Sequence, residues 1–358
     1  MPAAEKQPRL YALDAMRGVC ALSLMVYHYL MWNGTDYFQI GYFGVYIFFI
    51  LSGFSMWYVY ARKPLTADLL RHFFVARIAR ILPLYIAASL LATLARIYEQ
   101  GLASITNAEF FQRFFFNITM LFGLATPGKT SIVPGGWSIG IEWVFYLAFP
   151  LFLLFIRRLR SVVALLVGAF ILNQVIVYAL LGEASVAGQW TYYTNFPTFL
   201  VYFVAGIAVA IFYNHLQHRP GRPALPFPDR RWLCRLVPIA SLAFVFLYPS
   251  TTPESYLQGG HVALLIFVAM GGVFFASFAS PYEWEKKLYR FLGDISYSTY
   301  LLSFFVYHGV DAVLKVIYPA HPLALTIWLA MIATIVLAYA SYRFFEMPAR
   351  VWINRKLG

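Results

Sequence analysis

LDAMRGVCALSLMVYHYL, residues 13–30, is apolar enough to cross a bilayer, yet it carries Asp14, Arg17 and His28. Arg17 and His28 stand eleven positions apart; at about 100° per residue that is three helical turns plus about 20°, so both project from one face, with Asp14 within about 60° of the same stripe. A charge at the centre of a bilayer costs roughly 2.5–3.5 kcal/mol or more. The polar stripe therefore has to face a protein interior or a wet cavity. Read singly, each residue has an ordinary account: Arg17 could snorkel to the headgroups and His28 could sit bonded in the outer interface. Those accounts leave the alignment of all three unexplained.

The surrounding sequence is built the same way. Of 358 residues, 61% are hydrophobic and 12% charged, and the mean hydropathy is +0.68, values that exclude a water-soluble domain of this length. Apolar blocks recur near 12–31, 40–60, 78–97, 137–156, 161–181, 196–214, 233–248, 260–280, 294–316 and 323–345. Each is of the order of the 20 residues that span about 30 Å of hydrocarbon. The fold class expected is an all-α polytopic bundle of about ten transmembrane helices, folded as a single integral membrane domain over 1–358. FFFNITMLFGLA (114–125) is too short to span and reads as an interfacial or re-entrant piece. The block ending LVPIASLAFVFLY is also short, and Trp232 and a snorkelling Arg235 would complete it.

A net charge of +12 could indicate a nucleic-acid partner, but the placement of the charges says otherwise. With a cytoplasmic N-terminus, all but four of the 27 Lys and Arg residues (Arg96, Arg113, Lys129 and Lys315) fall on the cytoplasmic side, the asymmetry that orients membrane proteins. Both termini are then cytoplasmic. The short basic N-terminus 1–10, a loop at 215–232 and a C-terminal tail at 346–358 lie on that side. Membrane lipid is the expected surrounding, no nucleic acid is expected, and the first helix reads as a signal anchor.

Further polar residues interrupt other spans. In GGWSIGIEWVFYLAFP, Glu142 lies some five residues into the fourth block, at a depth counted similar to that of His28. A carboxylate near an imidazole would orient it and stabilise the imidazolium. In FFVARIARILPLY, Arg77 and Arg80 are three apart and share a face. With Arg17 they make a candidate basic mouth, because guanidinium forks match phosphate oxygens. Taken alone, those two are also what the cytoplasmic end of any span carries. Trp137 is by default a belt aromatic, Ser52, Ser138, Tyr146 and Tyr300 are interhelical hydroxyls or substrate contacts, and Asp14 and Glu346 are expected to pair with arginines near the cytoplasmic face.

Six stretches, in order from residue 13 to 350, together resemble the membrane acyltransferase type 3 family. They are LDAMRGVCALSLMVYHY, GYFGVYIFFILSGFSMW, RIARILPLY, GGWSIGIEWVFYLAFPLF, LGDISYSTYLL and FFEMPAR. The resemblance implies a multi-pass enzyme, in the cytoplasmic membrane of a bacterium, that moves an acyl group, usually acetyl, from cytosolic acyl-CoA to a hydroxyl. The acceptor is commonly a surface or exported carbohydrate. Acetyl-CoA is then a co-substrate; no permanently bound cofactor and no metal are expected. By the same resemblance the essential histidine falls on His28, its paired arginine on Arg17, the fourth-helix glutamate on Glu142, and donor-binding positions on Arg77 and Arg80. Two departures stand out: many members carry a second glutamate where Trp143 stands, and many carry a late-helix histidine where Ser303 stands, with His308 five residues further on.

The chemistry suits the residues. Acyl transfer from a thioester needs a base for the acceptor's proton, donors for the developing oxyanion, and exclusion of water. Imidazole can act as the direct base or carry the acyl group itself, and His28 is assigned here as the direct base. A lipid-linked or polymeric saccharide is the first choice of acceptor and a small hydroxylated metabolite the second. A transporter would also use buried ionisable groups, but it predicts Gly- or Pro-broken spans in matching halves, and the sequence carries no such pairing.

Overall fold

The computed structural model describes residues 7–35, 39–156, 158–181, 185–217, 231–249 and 254–358. Residues 1–6 of the basic N-terminus and 218–230 of the basic loop lie outside them. The described residues form helices and turns with no strand. In chain order the helices are α1 (Tyr11–Met31), α2 (Phe43–Tyr60), α3 (Ala67–Gln100), α4 (Ala108–Ile118), α5 (Pro127–Thr130), α6 (Trp137–Phe155) and α7 (Leu159–Leu181). They continue with α8 (Trp190–Tyr193), α9 (Phe196–Gln217), α10 (Leu233–Phe246), α11 (Gly259–Ser277), α12 (Glu283–Ile317), α13 (Leu323–Ser341) and α14 (Met347–Leu357).

Eight of the ten expected spans are helices long and apolar enough to cross a membrane. The other two are α1, whose 21 residues include the polar stripe, and α10, whose 14 residues are short for a span. α3 and α12 begin about three turns before their apolar blocks. Capping explains both early starts. The Thr66 hydroxyl accepts from the Leu69 amide at 3.1 Å, and the Glu285 carboxylate accepts from the Tyr282 amide at 2.5 Å while pairing with Arg235 at 3.2 Å. Such caps stabilise a helix start outside the bilayer, where hydropathy is silent.

Pro8 and Leu357 both lie at one end of the bundle, where α2 hands over to α3. Tyr58 Oη donates to Pro8 O at 3.2 Å, and Arg71 Nε donates to Leu357 O at 3.0 Å. That end, with Arg9, Arg17, Arg62 and Arg71, is called the basic face below. The expected tail 346–358 is a helix: a π turn over Tyr342–Glu346 carries α13 into α14, which packs along the start of α3. The segment 114–125 stays on the opposite side as expected. α4 keeps Phe111 and Phe115 exposed, and the chain then tucks Phe122 inward to stack on Tyr85 at 5.5 Å and 7°. Asn117, fully buried, ties this plug together by accepting from Tyr85 Oη (2.7 Å) and the Ile132 amide (3.0 Å) while donating to Thr130 O (2.8 Å).

Without a hydrophobic drive between helices in lipid, association depends on close backbone packing. α2 and α9 meet at Gly53 and Gly206. A Cβ on Gly206 would lie 1.9 Å from Ile50 O, and one on Gly53 would lie 2.1 Å from Phe203 O. Aromatic side chains fill the space around this contact, with Phe145 and Phe203 stacked at 4.4 Å and 2° and Tyr46 on Tyr202 at 4.7 Å. Overpacking costs about 1–3 kcal/mol or more, so Gly206→Ala is expected to lower the detergent melting temperature by about 5 °C or more. Gly271→Ala, with nothing within 4 Å of the added carbon, is the neutral control; equal shifts in the two variants would contradict this packing.

Candidate active site

A single face of α2 forms the longest wall of an internal cavity of about 210 Å³. Val45, Phe49, Ser52, Met56 and Val59 recur at steps of three and four along it. From Val45 to Tyr60 the wall extends roughly 22 Å at 1.5 Å per residue. α6 presents Ser138, Glu142 and Tyr146, again one face, and α12 presents Ser296, Tyr297 and Tyr300. α3 contributes Arg77 and Arg80, while α1 contributes Arg17.

The polar groups in this chamber are interlocked. Glu142 Oε1 accepts from Ser52 Oγ at 3.0 Å and from Tyr146 Oη at 2.5 Å. Arg17 donates to Ser55 Oγ at 2.5 Å and to Leu51 O at 3.3 Å, and faces Asp14 at 3.4 Å. The Arg77 guanidinium lies over Tyr146 at 5.5 Å and Phe73 at 6.0 Å, and its Nε is buried with no hydrogen-bond partner. Tyr300 Oη donates to Gly135 O at 2.5 Å and is hydrogen-bonded to Ser138 Oγ at 2.8 Å. Among the described lining residues, three guanidinium groups face one carboxylate. Buried charge is costly unless matched, so the chamber is arranged to receive an anionic or strongly polarised group.

Arg17, Glu142, Arg77, Arg80, Ser52, Ser138 and Tyr300, scattered over five helices, line this one space. Asp14 lies just beneath, bonded to Arg9 at 2.5 Å, which also reaches Asp294 at 2.8 Å. Glu346 lies outside and takes no arginine as an ion-pair partner among the described residues; it accepts instead from Ser298 Oγ (2.5 Å) and Ser341 Oγ (2.9 Å), because the π turn aims it back at α12. Trp137 is packed against Trp190 and Phe199 at 5.2 and 5.3 Å and does not line the chamber. Ser55 joins the site without having been singled out, although it stands three residues after Ser52.

His28 is on the predicted stripe of α1, but among the described residues it does not line the chamber. Ala21 and Leu24, each 1% exposed, fill the stripe between Arg17 and His28. The imidazole is stacked on Trp32 at 5.4 Å and 18°, and Trp32 also abuts His308 at 5.1 Å. Ser303 Oγ is bonded to Tyr300 O of its own helix at 3.1 Å. Glu142 is bonded to Ser52 and Tyr146, and no contact joins it to His28, the expected partner, among the described residues. The plug around Phe122 packs on the first turn of α6, with Gly123 pressed on Gly140, and Glu142 lies level with Ser52, midway along α2.

Comparison with known proteins follows this geometry. A family model described as an acyltransferase domain matches residues 10–343. A peptidoglycan O-acetyltransferase of Listeria monocytogenes is 23% identical over 95% of this chain and 55% of its own length. A putative peptidoglycan O-acetyltransferase of Bacillus subtilis is 26% identical over 94% of this chain and 54% of its own. An exopolysaccharide production protein of Rhizobium meliloti is 26% identical over 87% of this chain and 90% of its own. The chain thus spans about half the length of the two peptidoglycan relatives. No solved structure matches it. With almost its whole length matched, from the start of α1 to the π turn, the chain belongs to the membrane acyltransferase type 3 family.

Proposed function

We propose that the protein is an O-acetyltransferase that takes an acetyl group from acetyl-CoA at the basic face and delivers it to a hydroxyl of a saccharide approaching from the opposite face. The observation that carries this reading is the convergence of Arg17, Arg77, Arg80 and Glu142 on one elongated chamber. The relatives named for peptidoglycan and exopolysaccharide support the choice of a carbohydrate acceptor. At about 210 Å³ the chamber is smaller than the roughly 300–1,000 Å³ of a site for a drug-sized molecule. It suits the acylated end of a thioester arm, while the phosphorylated nucleotide, too polar for hydrocarbon, stays at the basic mouth.

In the reaction, a base removes the acceptor hydroxyl's proton, the oxygen attacks the thioester carbonyl, the C–O bond forms, the C–S bond breaks, and the CoA thiolate leaves and is protonated. Arg17 supplies N–H donors on the chamber wall for the transient oxyanion. Glu142 accepts the hydroxyl hydrogens of Ser52 and Tyr146 and balances the guanidinium charge. His28 is the proposed base. It stands beyond Leu24, so its approach to an acyl carbon in the chamber requires that side chain to turn aside. Leu24 is then the barrier against water, and Leu24→Ala is expected to raise acceptor-independent CoA release severalfold in a thiol assay; unchanged release would place the barrier elsewhere.

The test of the whole reading is purified protein supplied with labelled acetyl-CoA and peptidoglycan or exopolysaccharide fragments. Label in the saccharide matched by released CoA is expected. Passage of ligand across proteoliposomes without group transfer would establish a transporter instead.

A further inference from the structure

α14, the helix that follows the π turn, carries Arg350 as its fourth residue. Its placement is fixed at both ends. At the near end, the π turn Tyr342–Glu346 is pinned to α12 through the Glu346–Ser298 hydrogen bond. At the far end, Arg71 of α3 donates to Leu357 O at 3.0 Å. α14 therefore runs against α3, and stepping back seven residues from Leu357 rises about 10 Å, the same climb that leads from Arg71 to residue 78. Arg350 comes level with Arg77 and Arg80. The charges of both arginines act on Arg350, as does that of Asp294.

None of Arg77, Arg80 and Arg350 forms an ion pair among the described residues. The nearby carboxylates act on them only at longer range, Glu346 on Arg80, Asp294 on Arg350 and Glu142 on Arg77, while their direct partners are two serines for Glu346, Arg9 at 2.8 Å and Arg290 at 3.5 Å for Asp294, and Ser52 and Tyr146 for Glu142. Arg77 adds a second, independent sign, since its Nε is buried without a hydrogen-bond partner on the chamber wall. Like charges gathered without an ion-paired partner are unfavourable until an anion arrives. Guanidinium forks spaced along a mouth match a ligand with more than one phosphate.

We propose that Arg350 completes, with Arg77 and Arg80, a polyphosphate site at the basic mouth of the chamber, which holds the phosphorylated nucleotide end of the acyl donor. The ligand class rests on the acyl-CoA reading above; the anion site itself does not. The π turn shifts the helical phase between α13 and α14 and so sets which face of α14 carries the third guanidinium, in keeping with the frequent occurrence of such bulges at functional sites.

Two measurements on the full-length protein in neutral phosphatidylcholine nanodiscs test the site and the reading separately. Calorimetric titration with adenosine 3′,5′-bisphosphate is expected to show binding that weakens about tenfold or more in Arg350→Ala and recovers in part in Arg350→Lys. In turnover, Arg350→Ala is expected to raise KM for acetyl-CoA by a similar factor, far more than it lowers kcat, and to change the turnover of S-acetylpantetheine, which has no phosphate, by less than twofold. Nucleotide binding that depends on Arg350, with no acetyl transfer by the wild type, keeps the site and overturns the acyl-CoA reading. Equal losses with both donors, or nucleotide binding indifferent to Arg350, overturns the site. Arg350-dependent retention of phosphatidylglycerol with no nucleotide binding overturns it as well, assigning the cluster to lipid.

Discussion

Glu142→Gln is expected to lower the rate of acetyl transfer by at least about a hundredfold, the lower end of what removal of a preorganised electrostatic group costs, while leaving the bundle assembled. The substitution keeps the shape of the side chain and leaves a carbonyl oxygen for Ser52 Oγ and Tyr146 Oη to donate to, at the 3.0 and 2.5 Å positions now occupied. What it removes is the only negative charge among the described lining residues of a chamber with three guanidinium groups. Donor binding is therefore expected to be unchanged or tighter, and the loss to appear in kcat. A variant with kcat within a factor of three of the wild type would show that the carboxylate has no part in the chemistry, and a loss confined to KM would make it a binding group.

His28→Ala is expected to give a loss of similar or greater size, about 10²- to 10⁴-fold, with a different signature. Because the imidazole stands above Leu24 and outside the chamber, its removal is expected to leave the affinity for acetyl-CoA within twofold of the wild-type value, measured by calorimetry on the same preparation. His28→Gln, which retains a hydrogen-bonding side chain but no base, is expected to be equally inactive. A fall in donor affinity that tracks the fall in rate would move His28 into the donor site. Full activity in either variant would leave Glu142 to act as the base on its own.

These two residues also mark what the sequence alone could and could not reveal. Hydropathy blocks located eight apolar spans, because a bilayer demands that pattern and little else imitates it. The charged residues inside those blocks were conspicuous for the same reason, and Arg17, Arg77, Arg80 and Glu142 do converge. Depth was not legible. Counting Glu142 inward from Trp137 gave no sign of the plug held by Asn117 and Phe122, which packs on the first turn of α6 where Gly123 meets Gly140. Periodicity likewise placed His28 and Arg17 on one face of α1 but could not tell that Ala21 and Leu24 fill the ground between them. The early starts of α3 and α12 escaped notice because capped polar turns outside a bilayer carry no hydropathy signal. The course of α14 escaped because a π turn leaves no mark in apolar spacing.

The chamber as the place where the donor's acyl group is held is tested most directly by a cryo-electron microscopy structure of the nanodisc-embedded protein with a non-transferable thioether analogue of acetyl-CoA. The expected density enters past Arg77 and Arg80 and ends between α2, α6 and α12, with the carbonyl within hydrogen-bonding distance of Arg17. An analogue bound with its acyl end outside that chamber, at the lipid boundary or in the solvent beyond the basic face, would contradict the account.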